Sequence, residues 1–160
     1  MVKQVKSIEE AIALVLKDIE MSDHDNSNLK DVTADTMREV ILNNVYDMFN
    51  PREYDRRGDD DGFSDVNNMV FTNVQPNGNT VNLTFENITQ GNDSMSGERI
   101  DEMLENGNGK WDKNVYDNQG RLNSAPRPFA EDTVEALQSN ENALTNAVKK
   151  DLKKLGYAVK

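Results

Sequence analysis

Carboxylates are the only side chains in this 160-residue chain frequent enough, and close enough together, to suggest chemistry. Asp59-Asp60-Asp61-Gly62 and Asp23-His24-Asp25-Asn26-Ser27 look like fragments of calcium loops. A twelve-residue calcium loop needs glycine at its sixth position and a bidentate glutamate at its twelfth. Counting from Asp23 places Asn28 and Ala34 there instead, so both stretches read as solvated acidic loops. Glu98, Asp101, Glu102 and Glu105 are near enough to one another to pair as general acid and base. Exposed helix faces carry such charges routinely, and no motif places any pair. His24 is the single histidine, so a triad or a histidine-based zinc site would have to use it. It stands in a polar stretch with no apolar flank to shift its titration. Cysteine is absent, which removes disulfides and thiolate metal sites. The expectation is a non-enzymatic protein with no catalytic residue, no metal and no cofactor.

The charge balance narrows the partners. A net charge of −11 argues against a general role in binding DNA or RNA, because affinity for phosphates comes from lysine and arginine. It is compatible with DNA in transit, since an acidic wall repels a duplex and lets it slide. Hydrophobic residues make up 36% of the chain, below the usual range of about 45–50%, which counts glycine as well. The length suits one domain, and so lean a core favours assembly with further copies. Glu9, Glu10, Asp18 and Glu20 within the first twenty residues exclude a signal peptide or a membrane span there. The triplets at Asn82, Asn87 and Asn92 match the glycosylation pattern by chance in an asparagine-rich chain. Arg57-Gly58-Asp59 reads as a turn. A reducing cytoplasm is the expected place of synthesis.

These groups hang on elements that can be read in order. Ser7-Ile8-Glu9-Glu10 is a capping box, opening a helix with Ile8, Ile12, Val15, Leu16 and Ile19 on its apolar face. Residues 21–32 are expected to be a polar loop. Thr33 is expected to cap a second helix, with Met37, Val40, Ile41, Val45 and Met48 on one stripe as far as Pro51. A polar loop at 57–66 leads to two strands, Asn68–Val74 and Thr80–Asn87, joined through Pro76-Asn77-Gly78-Asn79 as a hairpin. Ser96 is expected to cap a short helix through Ile100, Met103 and Leu104, stopped by Asn106-Gly107. Residues 108–125, around Trp111 and Tyr116, read as an extended arm or an ordered loop. Pro126-Arg127-Pro128-Phe129 launches the longest helix, as far as Leu155, roughly 42 Å at about 1.5 Å per residue. The whole is one α+β domain: a small antiparallel β-sheet packed by N-terminal helices, a short helix and a long C-terminal helix.

The stretch from Val45 to Arg57 is the most informative. A helical apolar stripe runs into Tyr46, Phe49 and Tyr54, is halted by Pro51, and ends in Arg56 and Arg57. It carries no nucleophile, no metal spacing and no phosphate loop; it is suited to shaping and docking a surface. Arg56 and Arg57 have three readings: ion pairs with Glu53, Asp55 or Asp59, docking against an acidic neighbouring subunit, or a phosphate contact. Arg127, held between two prolines, pairs with an acid of its own chain or across an interface.

The sequence Val45-Tyr46-x-x-Phe49-x-Pro51-x-x-Tyr54-x-Arg56-Arg57 resembles a motif of small tailed-bacteriophage proteins of the head–tail joining (neck or tail-completion) type. Two more pieces agree in order. One is the short helix Ile100–Glu105 followed by Gly107 and Gly109. The other is Pro126-Arg127-Pro128-Phe129 opening a helix that ends in Leu155-Gly156-Tyr157. The likeness covers about residues 33–157. It departs after the paired arginines, where the group commonly has leucine and this chain has Gly58. The resemblance implies a virion structural protein forming a homo-oligomeric ring, six- or twelve-fold, between portal connector and tail tube. It would be assembled in the host cytoplasm, with other neck, connector or tail-tube proteins as neighbours, DNA only passing through the lumen, and no membrane. Subunit-interface candidates are Tyr46, Phe49, Pro51, Tyr54, Arg56, Arg57, Trp111, Tyr116, Arg127 and Phe129. The competing reading is an acidic monomeric regulator or DNA-mimic inhibitor; a carboxylate hydrolase ranks below both.

Overall fold

Two serines start the first two helices. The Ser7 hydroxyl accepts from the Glu10 backbone N–H at 3.1 Å and opens α1 (Ile8–Glu20). The Ser27 hydroxyl accepts from the Lys30 N–H at 3.0 Å and opens α2 (Asn28–Val40). The computed structural model describes residues 7–47, 57, 60–91, 97–107 and 126–159. Helix α2 therefore begins five residues before Thr33, and the expected loop at 21–32 shrinks to residues 21–27 with a single 3-10 turn, His24–Asn26. The reason is a cap from far along the chain. The Asp151 carboxylate accepts from the Asn28 N–H at 2.8 Å and the Leu29 N–H at 2.9 Å, satisfying two of the donors a helix start leaves open.

Helix α2 runs on into a π-helical turn, Ile41–Tyr46, with the Asp47 N–H bonded to the Leu42 carbonyl at 2.9 Å. In an α-helix Tyr46 would point about 140° away from Ile41. Bonds between residues five apart widen the turn and bring the two closer to the same side. Tyr46 consequently packs against the core that Ile41 centres. That core joins Ala34, Met37, Ile41 and Val45 of this spine to Phe63, Met69, Leu104 and Phe129. Ile41 and Met69 are fully buried.

The sheet is one antiparallel hairpin, β1 (Met69–Asn77) and β2 (Thr80–Asn87), as expected from the Asn-Gly turn. Gly78 takes φ 60°, the left-handed conformation that such a tight turn needs. Strand β1 runs three residues beyond the expected end and includes Pro76, which a two-stranded sheet tolerates because each strand has a free edge. The register shifts between Phe71 and Asn73, a bulge. Phe71 and Phe85 meet edge-to-face at 4.9 Å, and His24 abuts Phe71 at 5.7 Å. Helix α1 lies on the hairpin. Its apolar residues Ile12, Val15, Leu16 and Ile19 are only half-buried.

Helix α3 (Ile100–Asn106) ends where Gly107 turns left-handed at φ 61°. The expected capping residue, Ser96, lies outside the described residues. The long C-terminal helix is interrupted at Asn140, giving α4 (Phe129–Ser139) and α5 (Glu141–Lys154), so the expected single 42 Å rod is divided. Ser139 and Asn140 favour local hydrogen bonds over helix continuation; the Ser139 hydroxyl bonds the Ala136 carbonyl at 2.7 Å. Both halves lie against α2. After α5, the Tyr157 hydroxyl donates to Asp18 at 2.5 Å. Partial burial, this bond and the Asp18 charge push the phenol up to about 12.

Two outcomes follow from this frame. Ile41→Ala should cost about 2–5 kcal/mol in urea unfolding, the range for emptying a closed apolar site. Asp151 is partly buried, which alone would raise its pKa, but the Asn28 and Leu29 bonds and Lys154 hold it below the ordinary 3.8. Its stabilisation is therefore complete above that value and is lost as pH falls through the lower folded-state value. Asp151→Asn should cost roughly 1–3 kcal/mol at neutral pH, and urea unfolding should show the gap from wild type closing below about pH 3.8.

Candidate functional site

Residues 60–68 follow the paired arginines, and their geometry is set by polar groups of β2 and its exit. The Asn87 side-chain amide donates to the Phe63 carbonyl at 2.8 Å. Its carbonyl oxygen accepts from the Thr89 N–H at 3.0 Å and the Thr89 hydroxyl at 2.6 Å. Thr89 also reaches the Gly62 carbonyl at 3.2 Å. Both side chains are 1% exposed. The Asn-Ile-Thr triplet that looked like a chance glycosylation match is thus a buried turn device. Asp65 closes the other side, accepting from the N–H groups of Asp61 at 3.0 Å and Asn67 at 2.9 Å. That network holds Asp61 at φ 55°, uncommon for a residue with a Cβ.

Arg57 belongs to this loop. It pairs with Asp61 at 3.3 Å and donates to the Gln90 carbonyl at 2.5 Å. Arg57 thus makes a local ion pair with Asp61, four residues on; the expected acids Glu53, Asp55 and Asp59 lie outside the described residues. With 77% of the Asp61 side chain exposed, the ion pair itself is weak, and the bond to Gln90 is the firmer tie. Arg99 works alongside it. It grips Asp101 through two nitrogens at 2.8 and 2.5 Å and donates to the Asn87 carbonyl at 3.0 Å. The hydrogen bond and charge of Asp101 outweigh partial burial and raise the guanidinium pKa. Nothing in the sequence singled Arg99 out.

The interface candidates divide. Phe49, Pro51, Tyr54, Arg56, Trp111 and Tyr116 lie outside the described residues, as does the arm at 108–125. Tyr46 leans on the core from its edge. Phe129 is 4% exposed and meets Phe63 edge-to-face at 5.0 Å, so its ring is part of the chain's own core and not of its surface. Arg127 is 6% exposed. Its N–H bonds the Leu104 carbonyl at 2.8 Å, tying the entry of α4 to α3. The correction has one cause: a residue launching a helix is buried when that launch sits over another element, which sequence spacing does not reveal.

Two open grooves remain. One runs between α2 and α5 over Val32, Ala143 and Ala147, with Asp31 and Lys150 on its walls. The other has Met37, Phe85 and Phe129 as its floor and Glu86, Asp101, Glu102 and Glu105 around it. Among the described residues no group of three acidic or histidine side chains is placed to hold a metal ion, and no helix is long and apolar enough to cross a membrane. The four acids are partly committed: Asp101 and Glu86 to Arg99, and Glu105 to the Ala130 N–H at 3.2 Å. Such an arrangement can recognise a cationic, partly apolar surface.

Asn87→Ala should cost roughly 1–3 kcal/mol by leaving buried partners unpaired. Hydrogen exchange should quicken at Gly62–Asn68 and stay unchanged in α5; uniform quickening would mean that Asn87 supports the whole fold, not this loop.

Comparison with known proteins places the chain. No solved structure gives a significant match. The YomN family model matches residues 4–154. The SPbeta prophage-derived uncharacterized protein YomN of Bacillus subtilis (strain 168) is 31% identical over 149 residues, spanning 92% of this chain and 94% of that protein. With nearly the full length of both chains aligned, from α1 through α5, this protein belongs to the YomN family.

Proposed function

We propose that this chain is a phage-derived, non-enzymatic structural protein of the virion, acting as a homo-oligomeric ring at the head–tail junction. The observation that carries the phage origin is the end-to-end similarity to a prophage-derived protein. The head–tail assignment rests on the three ordered sequence pieces: Val45 to Arg57, Ile100 to Gly109, and Pro126 to Tyr157.

Physical features support assembly. The apolar row of α1 is half-buried, and no described α1 residue enters the core. The hairpin has no third strand among the described residues, and an isolated hairpin is marginal unless covered. Contacts between copies would cover both. A ring needs two different patches on each subunit, and its acidic balance would let DNA pass without being held. The DNA-mimic alternative has the net charge behind it, but the four lysines at the end of α5 run against a uniformly acidic surface.

Light scattering coupled to size exclusion should give a mass several-fold above 18.1 kDa, and negative-stain images should show rings. A monomer at every concentration tested would end the ring reading. Phage particles lacking the gene should accumulate unjoined heads and tails; normally tailed particles would reject the head–tail assignment.

A further inference from the structure

Charge is segregated along α5. In a chain of net charge −11, Lys149, Lys150, Lys153 and Lys154 crowd into its last two turns with Asp151 as the sole acid. Asp151 is turned inward to cap α2, and Lys154 reaches only its edge, at 3.8 Å. Lys150 and Lys153 are exposed and Lys149 half-buried. The remaining described lysines, Lys17 and Lys30, stand singly. A patch of this sign is complementary to an acidic partner.

The same chain carries a groove of complementary character. Half-buried Phe85 lies in it over the nearly buried Met37 and Phe129, and its rim bears the exposed Glu102 together with Glu86, which Arg99 approaches only to 3.9 Å. The two patches sit at different levels of α2. The lysines lie beside its first residues, where Asp151 meets Asn28, and the groove opens at Met37. Nine residues of helix separate these levels by about 14 Å. They are therefore distinct surfaces of one subunit, as a head-to-tail contact requires.

We infer that the lysine-bearing end of α5 in one copy docks on the groove formed by β2, α3 and α4 of the next copy. This rests on the reading of the chain as a self-assembling ring and identifies its two faces. The lysine stems and the neighbouring Leu152 and Leu155 cover the apolar floor, while the ammonium groups meet Glu86 and Glu102.

The test is a charge swap. One variant carries Lys149→Glu, Lys150→Glu and Lys153→Glu; the other carries Glu86→Lys and Glu102→Lys. Each alone should associate at least about a hundred-fold more weakly by sedimentation, because like charges now face each other. An equimolar mixture should recover the wild-type mass, since each altered surface finds its altered complement. Should either variant misfold, wild type provides the second reading: raising sodium chloride from about 50 mM to about 1 M should dissociate it. Self-association that ignores both salt and the lysine changes would overturn the assignment of surfaces while leaving the ring reading intact. A wild-type chain that stays monomeric would overturn both. If the lysine variant keeps its mass but loses affinity for duplex DNA, the patch serves a polyanion, and docking between copies is rejected.

Discussion

Ile41, without solvent exposure, is where the central helix changes pitch, and the rest of the molecule is arranged around that change. Before it, α2 presents Ala34 and Met37 to the core at α-helical spacing; after it, the wider π turn adds Val45 and draws in Tyr46. Helices α4 and α5, strand β1 and the 3-10 turns His24–Asn26 and Val66–Asn68 pack on this one spine. A domain of this size with a small apolar core depends heavily on each residue in it. π turns are rare and recur at functional positions. This one stands immediately before the segment that carries the aromatic and arginine pattern.

Because apolar contact is limited, the helices are also tied by polar groups that reach across the chain. Asp151 of α5 caps α2, and Glu105 of α3 accepts from the first turn of α4. Asn44 in the π turn donates to Asp132 of α4 at 2.6 Å, and Tyr157 holds Asp18 of α1. Each bond satisfies a helix end or a half-buried group that would otherwise lose its water. The result is a fold whose helix boundaries are determined jointly. Several described carboxylates serve the fold in this way: Asp151 caps α2, Asp65 closes the 60–68 loop, and Asp61 and Asp101 pair with Arg57 and Arg99.

What remains on the outside is uneven in charge and only partly covered in its apolar residues. Helix α1 leaves its apolar row only partly covered, the last turns of α5 are basic, and the groove by α3 is rimmed by acids. The proposed head-to-tail contact draws on the last two of these features; small-ligand pockets are typically more enclosed.

Local patterns in the sequence carried much of this architecture, because their causes are local. Ser7 and Glu10 mark the start of α1, Asn77-Gly78 the hairpin, Gly107 and Gly156 two helix ends, and the spacing of Met37, Ile41 and Val45 the buried stripe. The α+β class follows from the order of these elements. Features with distant causes were not legible. The early start of α2 depends on a carboxylate 123 residues away. Phe129 and Arg127 looked like surface groups until the entry of α4 was seen to sit over α3. Arg99 and the Asn87–Thr89 turn drew no notice, because a buried hydrogen bond has no periodicity. The sequence by itself determined the elements and the charge. Only tertiary packing decided which aromatics and arginines stay inside, because burial depends on what lies opposite a residue in space, not beside it in the chain.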